Sequence, residues 1–208
     1  MSRRTTAIAA ALSVLALGSP LVTASANPLA NNSFNSGVDK YKQGDYQGAI
    51  DDYTKAIEIN PEYANAFANR GAAKNALRDY QGATYDYTRA IEINPRFSLA
   101  YFNRGLAKDD SGDCEGAIAD YTKAIEIDPQ SALTYYNRGL VKFNLKDYQG
   151  AIFDTNKAID INPELAVAYR MRGINKELIG DLKGACRDWR KAADFGLTQP
   201  AEWVKKQC

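Results

Sequence analysis

The stretch YQGAIDDYTKAIEINP, residues 46–61, decides the fold, because the chain repeats it as CEGAIADYTKAIEIDP at 114–129 and YQGAIFDTNKAIDINP at 148–163. These copies share a 34-residue register that runs five times between Ala30 and Leu197. A period of this length is the signature of a solenoid, in which function lies on an extended surface rather than in a catalytic pocket.

Within the register each position has a physical task. Gly37, Gly71, Gly105, Gly139 and Gly173 recur at the eighth position, and Ala49, Ala83, Ala117, Ala151 and Ala185 at the twentieth. Small residues there let two helices approach closely. Phe67, Tyr101, Tyr135 and Tyr169 fill the fourth position; Tyr53, Tyr87, Tyr121 and Trp189 fill the twenty-fourth, on the same helical face as the small Ala four residues earlier. Asp45, Asp79, Asp113, Asp147 and Asp181 stand where a second helix should start and can accept bonds from its orphan N–H groups. Pro61, Pro95, Pro129 and Pro163 then stop that helix.

These positions resemble the tetratricopeptide repeat, whose pattern sets an aromatic, a Leu-Gly pair, Tyr, Ala, an aromatic and Pro at fixed offsets. The resemblance implies an all-α, right-handed α-solenoid of five helix-turn-helix units at 30–63, 64–97, 98–131, 132–165 and 166–197, closed by a C-terminal capping helix at 198–208. The wording GACRDWRKAADFG at 184–196 is similar to bacterial members of the family, cyanobacterial ones among them. Two departures stand out. The Leu before Gly is Arg70, Arg104, Arg138 or Arg172 in four units, with Ser36 in the first, and the eleventh-position Tyr is Lys40, Lys74, Lys108, Lys142 or Lys176.

Asp52, Asp86, Asp120, Asp154 and Asp188 occupy the twenty-third position and offer partners for these Arg residues. The expectation is that each Arg reaches back to the preceding unit, pairing Arg70 with Asp52, Arg104 with Asp86, Arg138 with Asp120 and Arg172 with Asp154, and leaving Asp188 for Lys205 or Lys206. Bidentate pairs of this kind fix geometry as well as adding energy.

The first 26 residues answer a different question. Arg3 and Arg4 precede the apolar run AIAAALSVLALG at 7–18, and Ala24-Ser25-Ala26 supplies the small-x-small pattern of a cleavage site, so residues 1–26 read as a removable signal peptide. The run is shorter than the roughly 20 residues a span needs, so no membrane insertion is expected once it is removed. Thr5 and Thr6 follow the Arg pair where a twin-arginine signal prefers a bulky apolar group, and the reading is ordinary secretion, into a periplasm, a lumen or the medium. Losing Arg3 and Arg4 from 26 basic residues leaves 24 against 25 acidic ones, a formal charge of about −1. No basic field for nucleic acid exists in that balance. The chain has no His, no phosphate-binding glycine loop and no closely spaced Cys cluster, so no enzyme activity, metal or cofactor is expected.

Cys186 lies on the second helix of the last unit and Cys208 ends the segment AEWVKKQ at 201–207, which reads as a cap over the exposed flank. A disulfide between them would fasten the cap, with all three cysteines reduced as the alternative because export does not guarantee oxidation. Cys114 reads as a small apolar group.

In the family this chain resembles, the second, fifth, sixth, ninth, twelfth and thirteenth positions of the first helices point into the groove. The sixth carries Asn35, Asn69, Asn103 and Asn137. An amide offers a donor and an acceptor to an extended backbone, and the resemblance implies sequence-tolerant peptide binding; local packing is the competing reading of these Asn residues. Leu99, Phe102, Leu106, Leu133, Tyr136, Leu140 and Phe143 form an apolar stretch around them, either an interaction patch or side chains partly covered by neighbouring helices. The fifth and ninth positions lack the Lys, Asn and Arg set with which chaperone adaptors of the family grip a terminal carboxylate. The expected function is a non-catalytic module binding an extended segment of another exported protein or peptide; a structural, self-associating solenoid, forming a homo-oligomer, is the alternative.

Overall fold

A computed structural model describes residues 27–208. The signal-peptide reading at 1–26 lies outside the described residues. Among them there are eleven helices and no strand. Five hairpins follow one another: α1 (Pro28–Lys42) with α2 (Tyr46–Ile59), α3 (Ala64–Ala76) with α4 (Tyr80–Ile93), α5 (Ser98–Ser111) with α6 (Cys114–Ile127), α7 (Ala132–Asn144) with α8 (Tyr148–Ile161), and α9 (Ala166–Leu178) with α10 (Leu182–Asp194). A last helix, α11 (Thr198–Gln207), packs on α10.

Local chemistry sets the helix limits. Asp45, Asp79, Asp113, Asp147 and Asp181 each accept a hydrogen bond from the amide of the Gly three residues on, at the N-terminus of each second helix. At the other end Asn60, Asn94, Asp128 and Asn162 turn to extended φ and ψ before the Pro, and each side chain accepts the N–H two residues on. Inside the hairpins the turn runs through a left-handed residue, which is Gly44, Gly112 or Gly180 in three units and Arg78 or Lys146 in two.

The core follows the repeat. Ala49, Ala83, Ala117, Ala151 and Ala185 have no exposed surface, and Tyr53, Tyr87, Tyr121 and Trp189 are buried beside them. Each second helix packs on its own first helix and on the first helix of the next unit. Closer approaches between non-adjacent helices are all between first helices: α1 with α3, α3 with α5 and α7 with α9. The first helices therefore line the inner side of the array.

The cap covers what the last unit leaves open. Trp203 of α11 sits on Trp189 with ring centroids 5.2 Å apart, Pro200 is fully buried, and the sulfurs of Cys186 and Cys208 meet with their Cα atoms 5.8 Å apart. Cys114 stays unpaired.

Candidate protein-interaction face

The inner helices first have to be held in register, and the Arg residues do this with partners other than those expected from the sequence. Arg70 donates from Nε and Nη2 to the two carboxylate oxygens of Asp86 at 2.9 and 2.7 Å, and Arg104 does the same to Asp120 at 2.8 and 2.7 Å. Arg138 grips Asp154 and Arg172 grips Asp188 in the same way. Every pair lies within one repeat. The expected pairs Arg70–Asp52, Arg104–Asp86, Arg138–Asp120 and Arg172–Asp154 are not formed, and Asp188 is taken by Arg172 and Lys176 rather than by Lys205 or Lys206.

The reason is the hairpin. Its two antiparallel helices set the seventh position beside the twenty-third of the same unit, and the residue two places further on faces the next unit instead. The third Arg donor, Nη1, does reach back across the repeat boundary, to Thr54 at 3.1 Å, Thr88 at 2.9 Å, Thr122 at 3.0 Å or Asn156 at 2.7 Å. Each guanidinium also lies over the aromatic ring three residues earlier, at 5.4 to 5.7 Å from Phe67, Tyr101, Tyr135 or Tyr169.

The Lys of the eleventh position completes the set. Lys74, Lys108, Lys142 and Lys176 bind the second oxygen of the same Asp at 2.7 to 2.8 Å. In the first unit Ser36, Lys40 and Lys55 surround Asp52. Burial acts to raise the Asp52 pKa, but these three hydrogen bonds outweigh it and hold the carboxyl well below the usual carboxylate range.

The groove face is less uniform than the repeat. Asn35 is exposed; Asn69, Asn103 and Asn137 are half-buried. Asn137 turns its amide N–H onto the carbonyl of Leu133 at 2.9 Å, which commits its donor to its own helix. Of the apolar residues, Leu133 is 41% exposed, while Leu99, Phe102, Leu106, Tyr136, Leu140 and Phe143 are half-buried. Phe102 and Leu106 pack onto Tyr121, Tyr136 joins the core near Tyr169, and Phe143 stands 6.0 Å from the Tyr148 ring. The stretch is therefore a line of half-covered side chains, not an open patch. Burial raises the pKa of the Tyr136 hydroxyl against the opposing pull of Arg170.

Sequence reasoning missed the polar part of this face. Asp109 and Asp110 occupy the twelfth and thirteenth positions of the third unit, and Asn75 occupies the twelfth of the second. Asp109 is half-buried and burial pushes its carboxyl up, with the exposed Asp110 beside it adding to the rise. The Asn75 Oδ1 and the Tyr121 hydroxyl are buried without a hydrogen-bond partner. The signal was available at those two groove positions, but it breaks the repeat instead of following it. Two shallow depressions flank the cap, one lined by Arg190, Ala193 and Val204, the other by Leu182, Arg187 and Cys208. Among the described residues no helix is long and apolar enough to cross a membrane, and no group of His, Cys, Asp and Glu is arranged to hold a metal.

Stacked hairpins with a polar and apolar inner face define a repeat scaffold. Family models identify the repeat: a TPR repeat model matches residues 37–77 and 110–146, and a tetratricopeptide repeat model matches 132–165. These matches identify tetratricopeptide repeats over 37–77 and 110–165, and proteins built from that repeat are protein-interaction scaffolds on a fold that is typically non-catalytic. Among solved structures it is similar to a crystal structure of MamA, at 25% identity and a TM-score of 0.73 over 80% of this chain and 96% of that one. YrrB, described as a TPR protein with an unusual peptide-binding site, shares the fold at 17% identity and a TM-score of 0.71, over 85% of this chain and 92% of that one. The first TPR of Spaghetti (RPAP3), bound to the HSP90 peptide SRMEEVD, is 28% identical with a TM-score of 0.56, over 57% of this chain and 94% of that one. Comparison with curated proteins finds no match.

Proposed function

We propose that this protein is a non-catalytic module that holds an extended segment of another exported protein against the inner face of its first helices. The observation that carries this is the state of Asn69 and Asn103: half-buried on the inner helices, with Asn103 next to Phe102 on α5, their amides have no protein partner among the described residues. An amide in that state offers a donor and an acceptor to a passing backbone. The acidic peptide held by the Spaghetti repeat is the wrong model for the ligand, since this inner face carries Asp109 and Asp110 and lacks a cluster of basic side chains at the fifth and ninth positions. Export through residues 1–26 and oxidation of Cys186 with Cys208 belong to the same reading, because a bonded cap suits an oxidising compartment.

Selection from a displayed library of random peptides, run against residues 27–208 and against an Asn69→Ala/Asn103→Ala variant, tests it. The wild-type chain is expected to enrich a family of extended sequences, and the variant to bind them about two- to tenfold more weakly per Asn, the size of a lost neutral hydrogen bond. Equal binding by both would move the interface off this face. No enrichment, with a mass by light scattering that rises with concentration, would make self-association the function.

A further inference from the structure

We infer that the inner face at Asp109 and Asp110 is a subsite for a cationic side chain, a Lys or Arg carried by the bound segment. The inference rests on the groove reading above and names the chemistry it selects. Its first support is an excess of acceptors. In every unit the buried Asp of the twenty-third position is matched by basic groups, yet Asp109 and Asp110 enter no ion pair among the described residues, and Arg78 acts on Asp110 only from a distance.

The second support is independent of the carboxylates. Tyr121 has no exposed surface, and its hydroxyl is left without a partner. One edge of its ring lies against α5: a Cβ on Gly105 would meet the ring at 2.8 Å and the hydroxyl-bearing carbon at 3.2 Å. Gly105 is one turn before Asp109 on that helix, which sets the ring beside the acidic pair, and Asp109 and Asp110 both act on the hydroxyl electrostatically. Asn75 brings a further orphan acceptor, Oδ1, at the equivalent register position of the neighbouring inner helix. Two uncompensated carboxylates, the Asn75 amide oxygen and a hydroxyl that can accept as well as donate leave a surplus of acceptors, which suits a ligand that only donates, and Lys and Arg are the side chains of that kind. Phe102 and Leu106 flank the site and give the aliphatic stem an apolar wall.

The test uses two pools of fluorescein-labelled, end-capped nonapeptides mixed in Leu, Phe, Ser and Asn, identical except for a central Lys in one and norleucine in the other. Fluorescence anisotropy with residues 27–208 should show the Lys pool binding about tenfold more tightly, the size of one charge-assisted contact. Asp109→Asn/Asp110→Asn should remove that preference and leave the norleucine pool unchanged. Tyr121→Phe, which keeps the ring, should reduce the preference in part and guards against a double variant that fails to fold. Equal binding of the two pools, or a preference that survives the double variant, overturns the subsite and leaves the groove reading standing. Failure of both pools to bind overturns the groove reading and the subsite with it.

Discussion

Arg104 shows how one side chain sets the geometry of two repeats. Two of its donors hold Asp120 within its own unit, the third reaches Thr88 of the unit before, and the guanidinium plane covers Tyr101. Lys could not do this, because a single ammonium lacks the planar fork. Breaking a buried pair by removing one partner costs about 3–5 kcal/mol, since the other charge is stranded. A double-mutant cycle between Arg104 and Asp120, read by urea unfolding, should return a large coupling energy, whereas a cycle between Arg104 and Asp86 should return close to none. Strong coupling to Asp86 instead would restore the pairing across repeats that the sequence alone implied. Both Asp residues recur with the same period as the Arg, so the alignment offers two partners and only the facing of the hairpin chooses between them.

At the scale of the helix, the eighth-position glycines are alike in sequence and unlike in surroundings. A Cβ on Gly105 would meet the Tyr121 ring at 2.8 Å, but one on Gly139 would find Asp154 Cβ at 3.3 Å and Thr155 Cγ2 at 3.7 Å, because the fourth unit has Thr where the others have an aromatic. Gly105→Ala is therefore expected to destabilise by about 1–3 kcal/mol through overpacking. In Gly139→Ala the gain in helix propensity, about 1 kcal/mol, offsets the tighter contact and leaves stability near wild type. Thermal unfolding of the two variants checks this; equal losses would mean that the ring does not set the cost. The same contrast explains what the sequence disclosed. Caps, stops and small residues repeat, so Asp45, Pro61, Ala49 and their equivalents reveal their roles by recurrence. Asp109 and Asp110 occur once, Asn137 turns onto its own helix while Asn103 does not, and no period can show either fact.

Over the whole molecule, the ladder of Arg residues is closed at both ends. Ser36 begins it in place of an Arg, and Arg190 stands at the position where Thr54, Thr88, Thr122 and Asn156 accept the next unit's guanidinium. A sixth unit of the same kind would bring a guanidinium against Arg190, and α11 occupies that flank instead, its Trp203 on Trp189. Since each unit of a solenoid leans only on its neighbours, the cap protects the last hairpin more than the distant first one. Bonding of Cys186 to Cys208, 22 residues apart, would add roughly 3 kcal/mol by closing that loop. Peptide mapping of the protein isolated without reduction should thus find Cys186 joined to Cys208 and a free thiol at Cys114. Cys208→Ser should lower the unfolding midpoint, shift the Trp emission to the red first, and raise hydrogen exchange in α10 and α11 while leaving α1 to α4 unchanged. Free thiols at Cys186 and Cys208 in that unreduced protein would remove the bond, and uniform exchange along the chain would show that the five hairpins unfold as one unit rather than from the capped end.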